Sequence, residues 1–122
     1  MQNNNTKDLF FDELKKFTKD EEIGLKLIKF CEHIDKSNKL YNLTSITKFD
    51  DMLIKHILDS LSIKNLIQGK NILDIGSGAG LPGIPLALTL PGKTFLLLDS
   101  NNKKIIFLNY FKINLNIINI NL

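Results

Sequence analysis

Apolar residues follow two different periods along this 122-residue chain. Before residue 70 they recur at spacings of three and four, which is typical of helices that pack on one face. After residue 70 they form short continuous runs bounded by glycine and proline, which is typical of buried strands. The pattern therefore predicts an N-terminal helical region, residues 1–69, followed by a strand-containing region, residues 70–122.

Three helices are predicted in the N-terminal region. Thr18-Lys-Asp-Glu21 looks like a capping box that begins the second helix. The third helix follows a turn at residues 41–45, and either Asp50 or Asp51 can cap it. The predicted bounds are residues 7–17, about 18–40 and about 51–67.

The second region predicts a βαβ unit. Residues 72–75 and 94–98 are apolar runs of strand length. Between them, Pro82 and Pro85 fall in the first turn of a short helix, and Pro91-Gly92 ends it. This helix has almost no polar face, so we expect it to be buried against the sheet. A right-handed crossover then makes the two strands parallel.

A second helix, about residues 101–114, follows with Ser100 or Asn101 as its cap, and residues 117–122 begin a third strand. A parallel sheet that is covered on both faces normally has five or more strands. The first strand here is apolar enough for the middle of a sheet, yet it would lie at an exposed edge. We therefore expect the chain to be the N-terminal part of a longer protein.

A glycine-rich loop follows the first strand, with Gly76, Gly78 and Gly80 spaced two apart. Glycines at this spacing let the backbone turn sharply and let a flat ligand lie against it. Two overlapping motifs fit the run. From Gly78 it reads G-x-G-x-x-G, a dinucleotide fingerprint, and from Asp74 it reads acid-x-G-x-G-x-G.

Position and charge distinguish the two motifs. A dinucleotide motif begins with its first glycine at the end of the strand, and that glycine is Gly76 rather than Gly78. A pyrophosphate needs a helix N-terminus with bare amides, and a carboxylate at Asp74 would repel it. Asp74 suits a cation instead, and S-adenosylmethionine carries a sulfonium and an ammonium but no phosphate. An NAD-type Rossmann enzyme stays as the alternative.

Asp99 is the predicted second contact with the cofactor. It follows the second strand directly, at about the distance from the glycine loop, roughly 20 residues, of the ribose-binding acid in a βαβ unit. A carboxylate there can accept hydrogen bonds from both ribose hydroxyls. Asp99 could instead cap the next helix, but Ser100 or Asn101 can take that role.

Four motifs in this order resemble the RsmG (GidB) family of bacterial 16S rRNA guanine-N7 methyltransferases. They are LYNLTSI at residues 40–46, KHILDSL at 55–61, ILDIGSGAGLPGIPL at 72–86 and LLDSNNKK at 97–104. The resemblance implies an α/β fold: the Rossmann-like parallel sheet of class I SAM-methyltransferases, truncated after about three strands, with an N-terminal helical extension.

The resemblance also implies the reaction. S-adenosylmethionine (SAM) would be the cofactor, and the partner would be 16S rRNA or the small ribosomal subunit. Guanine N7 carries a free lone pair, so methyl transfer to it needs no general base, and no catalytic residue is predicted. By resemblance, Gly76 and Leu81 contact the cofactor. The predicted cofactor-binding residues are Asp74, Gly76, Ser77, Gly78, Gly80, Leu81 and Asp99.

Two further interpretations stay open. His56 and Asp59 share a helix face, which either lines the cofactor pocket or is a polar surface pair. The chain as a whole could also be a non-catalytic remnant or an interaction module that keeps the fold.

Composition adds a little. The net charge is +3, and Lys103 and Lys104 at a helix N-terminus either contact phosphate or belong to a solvated first turn. A single cysteine, Cys31, and the lack of a signal peptide or a run of transmembrane length favour the cytoplasm. We expect a monomer with no metal and no membrane contact.

Overall fold

The computed structural model describes residues 4–41 and 52–122. The candidate caps Asp50 and Asp51 and most of the predicted turn before them lie outside the described residues. Two helices come first, α1 at Asn4–Leu14 and α2 at Glu21–Tyr41. Helix α1 therefore begins and ends about one turn earlier than the apolar spacing predicts.

The predicted cap of α2 is wrong by two residues. Asp20, and not Thr18, directly precedes the helix, and its Oδ1 accepts a hydrogen bond of 2.9 Å from the Glu22 amide. The Thr18 hydroxyl instead accepts a hydrogen bond of 3.2 Å from the Asp20 amide. Asp and Thr both cap helices well, so a four-residue motif alone does not decide which of them does so.

The third predicted helix is divided into three shorter pieces. A π-helix, Met52–Ile57, runs into the α-helix α3, Leu58–Ser62, and a 3₁₀ turn follows at Lys64–Leu66. The Lys64 ammonium donates a 2.6 Å hydrogen bond to the Phe17 carbonyl oxygen just beyond α1. That long-range contact ties the end of this segment to the first helix.

The predicted βαβ unit and the third strand are confirmed. Strand β1 pairs in parallel with β2, from Asn71 opposite Thr94 to Ile75 opposite Leu98, and β2 pairs in parallel with β3. The sheet order is β1-β2-β3, so β1 lies at an edge. The elements are β1 at Asn71–Ile75, α4 at Gly83–Thr89, β2 at Thr94–Leu98, α5 at Asn102–Asn114 and β3 at Ile120–Asn121.

Helix α4 is the buried element that the sequence predicts, since all seven of its residues are buried. Its start differs slightly from the prediction. Pro82 occupies the position before the first helical residue, and Pro85 lies in the first turn. Both prolines are placed where the missing amide hydrogen removes no helical hydrogen bond.

The two faces of the sheet differ in what covers them. On β2, Phe95 and Leu97 are fully buried, whereas Leu96 and Leu98 are 38% and 40% exposed. Ile75 at the end of β1 is 76% exposed. Crossovers between parallel strands are right-handed in nearly all proteins, and in this strand order that rule places both helices on the same face of the sheet. The second face of the sheet is therefore apolar and open in this chain.

One hydrophobic core joins the N-terminal helices to the βαβ unit. Phe30 of α2 and Phe111 of α5 meet edge to face, with ring centroids 5.2 Å apart. Phe10 of α1 and Phe95 of β2 are fully buried in the same cluster. The predicted division at residue 70 thus separates two kinds of secondary structure that share a core.

The Asn119 side chain contacts three main-chain carbonyl oxygens from the end of α4 to the start of β2. Its side-chain nitrogen lies 3.0 Å from the Ala87 carbonyl oxygen, 3.1 Å from that of Leu90 and 2.8 Å from that of Lys93. The main-chain carbonyl oxygen of Asn119 accepts a hydrogen bond of 2.8 Å from the Phe95 amide. The side chain of this one residue thereby fixes the end of α4 and the turn after it, and its main chain fixes the entry into β3.

We expect Asn119→Asp to destabilise the fold by about 2–3 kcal/mol, because it replaces the donor with a carboxylate that faces three carbonyl oxygens. Asn121→Asp is the matched control, since it makes the same charge change on an exposed side chain two residues away. The measurement is the free energy of unfolding in urea at pH 7. Equal losses for the two variants would contradict the role assigned to Asn119.

Candidate functional site

The glycine loop begins directly at the end of β1. Ile75 is the last residue of the strand and Gly76 follows it, which is the register predicted for the acid-x-G-x-G-x-G motif. Backbone φ is +72° at Gly76, +56° at Gly78 and +95° at Gly80. All three values fall in the left-handed region, where a side chain is disfavoured. The spacing of the glycines thus matches three successive sharp turns.

The loop is bound to the end of β2. The amides of Gly76 and Ser77 both donate to the Leu98 carbonyl oxygen, at 2.7 and 3.0 Å. The Gly78 amide donates to Asp99 Oδ2 at 2.8 Å. The two candidate motifs, 21 residues apart in sequence at Gly78 and Asp99, are therefore in direct contact.

The three glycines have different surroundings. A Cβ atom built on Gly76 would have no neighbour within 4 Å, and one on Gly78 would meet only the Gly76 carbonyl oxygen at 3.9 Å. A Cβ atom on Gly80 would lie 2.7 Å from Ile84 Cδ1 and 3.0 Å from Leu108 Cδ2. Gly76 and Gly78 thus face open space, whereas Gly80 allows α4 and α5 to pack closely.

A pocket of about 460 Å³ lies between the loop and the strand ends. This volume is within the range, about 300–1,000 Å³, that is usual for small-molecule sites. Its walls are mostly apolar, and Asp99 is the ionisable residue among those that line it. The lining residues are Ile75, Gly76, Leu97, Leu98, Asp99, Ser100, Ile105 and Leu122.

Asp99 is held as an anion at the mouth of this pocket. Its Oδ1 accepts a hydrogen bond of 2.8 Å from the Asn101 amide, and its Oδ2 accepts the one from Gly78. These two amides, with a smaller effect of the Lys104 charge, hold the pKa of the carboxyl below its usual range. The predicted cap of α5 is confirmed, because Asn101 Oδ1 accepts from the Lys103 and Lys104 amides.

Asp74 is turned away from the pocket. It belongs to β1 rather than to the loop, and its Oδ2 is buried without a hydrogen-bond partner. Burial raises the pKa of this carboxyl, and the neighbouring Ser77 hydroxyl and Gly83 amide offset only part of the rise. A Cβ atom on Gly83 would lie 2.7 Å from Asp74 Oδ2, so the carboxylate sits under the first turn of α4.

Ser77 and Leu81 also point into the protein. Ser77 is 3% exposed, and its hydroxyl donates a 3.0 Å hydrogen bond to the Asp74 carbonyl oxygen. Leu81 is partly buried against the hydrophobic core. Of the seven predicted cofactor-binding residues, the pocket is lined by Gly76 and Asp99. Gly78 lies next to the pocket, bonded to Asp99. The other four residues do not line the pocket and lie on the side of the loop that packs against the protein; they are Asp74, Ser77, Gly80 and Leu81.

Several wall residues escaped the sequence prediction. Ser100 directly follows Asp99, and Ile105 lies in the first turn of α5, so the start of α5 was a usable signal for both. Leu122 lies on the wall because β3 pairs with β2, and no local pattern indicates that register. His56 is partly buried, Asp59 is exposed, and neither lines this pocket.

Two features that the described residues lack are relevant to the site. In residues 4–41 and 52–122, no helix is long and apolar enough to cross a membrane. Within the same described ranges, no group of three or more His, Cys, Asp or Glu side chains is placed to hold a metal ion.

A βαβ unit with a left-handed glycine loop against an anchored carboxylate defines a Rossmann-like cofactor-binding fold. A family model for rRNA small subunit methyltransferase G (GidB) matches residues 24–122. The chain therefore belongs to the GidB family, and the resemblance to that family and the α/β fold are confirmed.

Curated relatives carry the name ribosomal RNA small subunit methyltransferase G. One from Actinobacillus pleuropneumoniae serotype 5b is 55% identical over 82 residues, which are 67% of this chain and 40% of the relative. One from Legionella pneumophila strain Lens is 52% identical over 100 residues, 82% of this chain and 48% of the relative. One from Nitrosococcus oceani is 51% identical over 94 residues, 77% and 44% of the two chains. The chain spans less than half the length of these relatives.

We expect Gly80→Ala to destabilise the fold by roughly 2–4 kcal/mol, since the added Cβ atom meets both a disfavoured φ and two side chains. Gly76→Ala should cost about 1 kcal/mol, because only its φ is disfavoured. Gly69→Ala is the matched control, with φ of +81° and no neighbour within 4 Å of the Cβ position. Thermal unfolding of the three variants measures these losses of stability, which should be largest for Gly80→Ala and similar for the other two. A loss for Gly76→Ala well above that for Gly69→Ala would contradict the open surroundings assigned to Gly76.

We expect Asp74→Asn to be more stable than the unchanged protein at pH 7, with a difference that shrinks towards pH 4. The native pKa of Asp74 is raised, so the native state holds this proton more tightly than the unfolded state, whose value is about 3.9. As pH rises above that value and through the native pKa, the native protein must ionise a half-buried carboxyl and loses stability. Urea unfolding at both pH values measures the difference, and a gap that is constant with pH would show the interpretation to be wrong.

Proposed function

We propose that this chain binds S-adenosylmethionine in the pocket between the glycine loop and Asp99. We further propose that it forms the cofactor-binding part of an enzyme that methylates guanine N7 in small-subunit rRNA. The observation that carries the proposal is the meeting of Gly76 and Asp99 at one apolar pocket. Membership of the GidB family supports the rRNA substrate, and the resemblance in the four motifs supports N7 as the acceptor.

The residues of the pocket fit this cofactor. The open space at Gly76 lets a ligand approach the backbone closely. The Asp99 carboxylate is an anionic acceptor for two ribose hydroxyls, and Leu97, Leu98 and Ile105 offer apolar surface to an adenine ring. A small number of placed polar groups in an apolar cleft is the usual composition of a cofactor site.

The hydrogen bonds of the loop favour SAM over NAD. A pyrophosphate is bound by backbone amides that have no other partner. Here the amides of Gly76 and Ser77 are bonded to the Leu98 carbonyl oxygen, and the Gly78 amide is bonded to a carboxylate. The same carboxylate, held as an anion, would repel a phosphate. The start of the loop is therefore unsuited to a dinucleotide.

The chemistry needs little from the protein beyond placement. S-adenosylmethionine supplies a methyl group that is activated by a positive sulfur. Guanine N7 brings its own lone pair, so no side chain has to remove a proton. Asp99, with its lowered pKa, acts as a hydrogen-bond acceptor and not as a general base. Catalysis would therefore rest on alignment of the two reactants.

The remaining parts of the proposal concern partners and setting. Lys103 and Lys104 lie in the first turn of α5, a few residues beyond Asp99, where their ammonium groups are suited to RNA phosphates. We propose 16S rRNA or the small ribosomal subunit as the partner, the cytoplasm as the compartment and a monomer as the working form.

We expect SAM to bind the chain in isothermal titration calorimetry and NAD to fail to bind. Gly76→Ala should weaken SAM binding by roughly tenfold or more, because the methyl group fills the space against which the ligand lies. Gly69→Ala carries the same backbone strain outside the pocket and should leave the affinity unchanged.

Tight NAD binding without SAM binding would overturn the cofactor assignment. Equal losses of affinity in the two glycine variants would remove Gly76 from the site. The proposed rRNA substrate is tested by transfer of a labelled methyl group to small ribosomal subunits whose rRNA does not yet carry this methyl group. Label on any nucleotide other than guanine would contradict that part.

A further inference from the structure

The glycine loop has two kinds of attachment to β2. The bonds from Gly76 and Ser77 end on a backbone carbonyl oxygen, that of Leu98, and so do not depend on which side chains are present. The bond from Gly78 ends on the side chain of Asp99. Of these three attachments, the last is the one that a substitution at the acceptor can remove.

The attachment at Gly78 acts on the most adaptable part of the loop. Glycine loses more conformational freedom on ordering than any other residue, and three of the five residues 76–80 are glycine. Gly78 also has open space at its Cβ position, so packing does not restrain it. Ser77 and Ala79 on either side are buried, so the Asp99 bond restrains Gly78 between two residues that packing already holds.

We propose that Asp99 is a positioning residue for the glycine loop as well as the ribose acceptor. Its carboxylate orders residues 76–80 before any ligand arrives, so part of the cost of ordering is met in advance and cofactor affinity rises. The ribose part of this statement rests on the proposed function, whereas the ordering of the loop does not.

The two roles are compatible at one carboxylate. Oδ2 accepts the Gly78 amide and Oδ1 accepts the Asn101 amide, each at 2.8 Å. A carboxylate oxygen has two lone pairs, so each oxygen retains one acceptor position. Asp99 lines the pocket and is partly exposed, and the remaining positions suffice for two ribose hydroxyls. The loop therefore need not be released when the ligand binds.

The ordering is tested by amide hydrogen exchange of the ligand-free chain. We expect the Gly80 amide, which donates to the Ser77 carbonyl oxygen at 2.8 Å and not to Asp99, to be protected. Asp99→Ala should lower its protection by roughly tenfold or more, along with that of the Gly78 amide. Asn101→Ala is the matched control, because it removes the cap of α5 while its backbone amide still bonds to Asp99. The Phe95 amide, which bonds to the Asn119 carbonyl oxygen, reports that the sheet is intact. Equal protection of the Gly80 amide in Asp99→Ala and in the unchanged chain would overturn the proposal.

The contribution to affinity is tested with two ligands, S-adenosylhomocysteine and its 2′,3′-dideoxy analogue. If Asp99 acted only through the ribose hydroxyls, Asp99→Ala would leave binding of the analogue unchanged. We expect the analogue still to bind the variant several-fold more weakly than the unchanged chain, because the loop is no longer ordered. Unchanged binding of the analogue would overturn this part. If the unchanged chain binds neither ligand, the proposed function fails, and hydrogen exchange alone decides the ordering of the loop.

Discussion

The carbonyl oxygen of Leu98 is the point on which the site depends. Strands β1 and β2 end side by side, with Ile75 opposite Leu98, and two successive amides beyond β1 donate to that one oxygen. Consecutive amides can converge in this way only if the backbone turns sharply, and Gly76 does so with φ of +72°. The turn then brings Gly78 to Asp99 and Gly80 onto the helices. The register of two parallel strands thereby determines the shape of the loop.

The parts of the fold that the sequence predicts are those that neighbouring residues determine. The glycine loop, the buried helix α4 and the Asn101 cap each depend on residues within about one turn. The predictions that were wrong concern features that the local sequence does not determine. In some of them two nearby residues are equally suitable, and in others a contact with a distant residue decides the structure. Thr18 and Asp20 are both good caps, and the segment after residue 51 is tied at Lys64 to the Phe17 carbonyl oxygen. Asn119 shows its role only when β3 is paired, because its acceptors lie 26 to 32 residues away.

The site illustrates a second limit of sequence motifs. A motif records that a residue type is needed and does not say whether a ligand or the protein needs it. Gly76 and Gly80 are equal members of the glycine pattern, yet one faces open space and the other contacts Ile84 and Leu108. Asp74 and Asp99 are both acidic residues next to the glycine loop, yet the Asp74 carboxylate is buried under α4 and the Asp99 carboxylate lines the pocket. Only the packing of the loop against the protein distinguishes residues that are open to a ligand from residues that support the loop.

The same packing explains why stability and binding are opposed at this site. Asp74 keeps a buried carboxylate oxygen without a partner, and Ile75 and Leu98 expose apolar surface at the pocket wall. Each feature costs stability in the ligand-free chain, because a buried charge lacks solvation and an apolar wall contacts water. An apolar ligand face would cover that wall, and a ligand that binds only the native state stabilises it in proportion to its occupancy. Under the proposed function, the cofactor would therefore offset part of the cost of this exposed apolar wall.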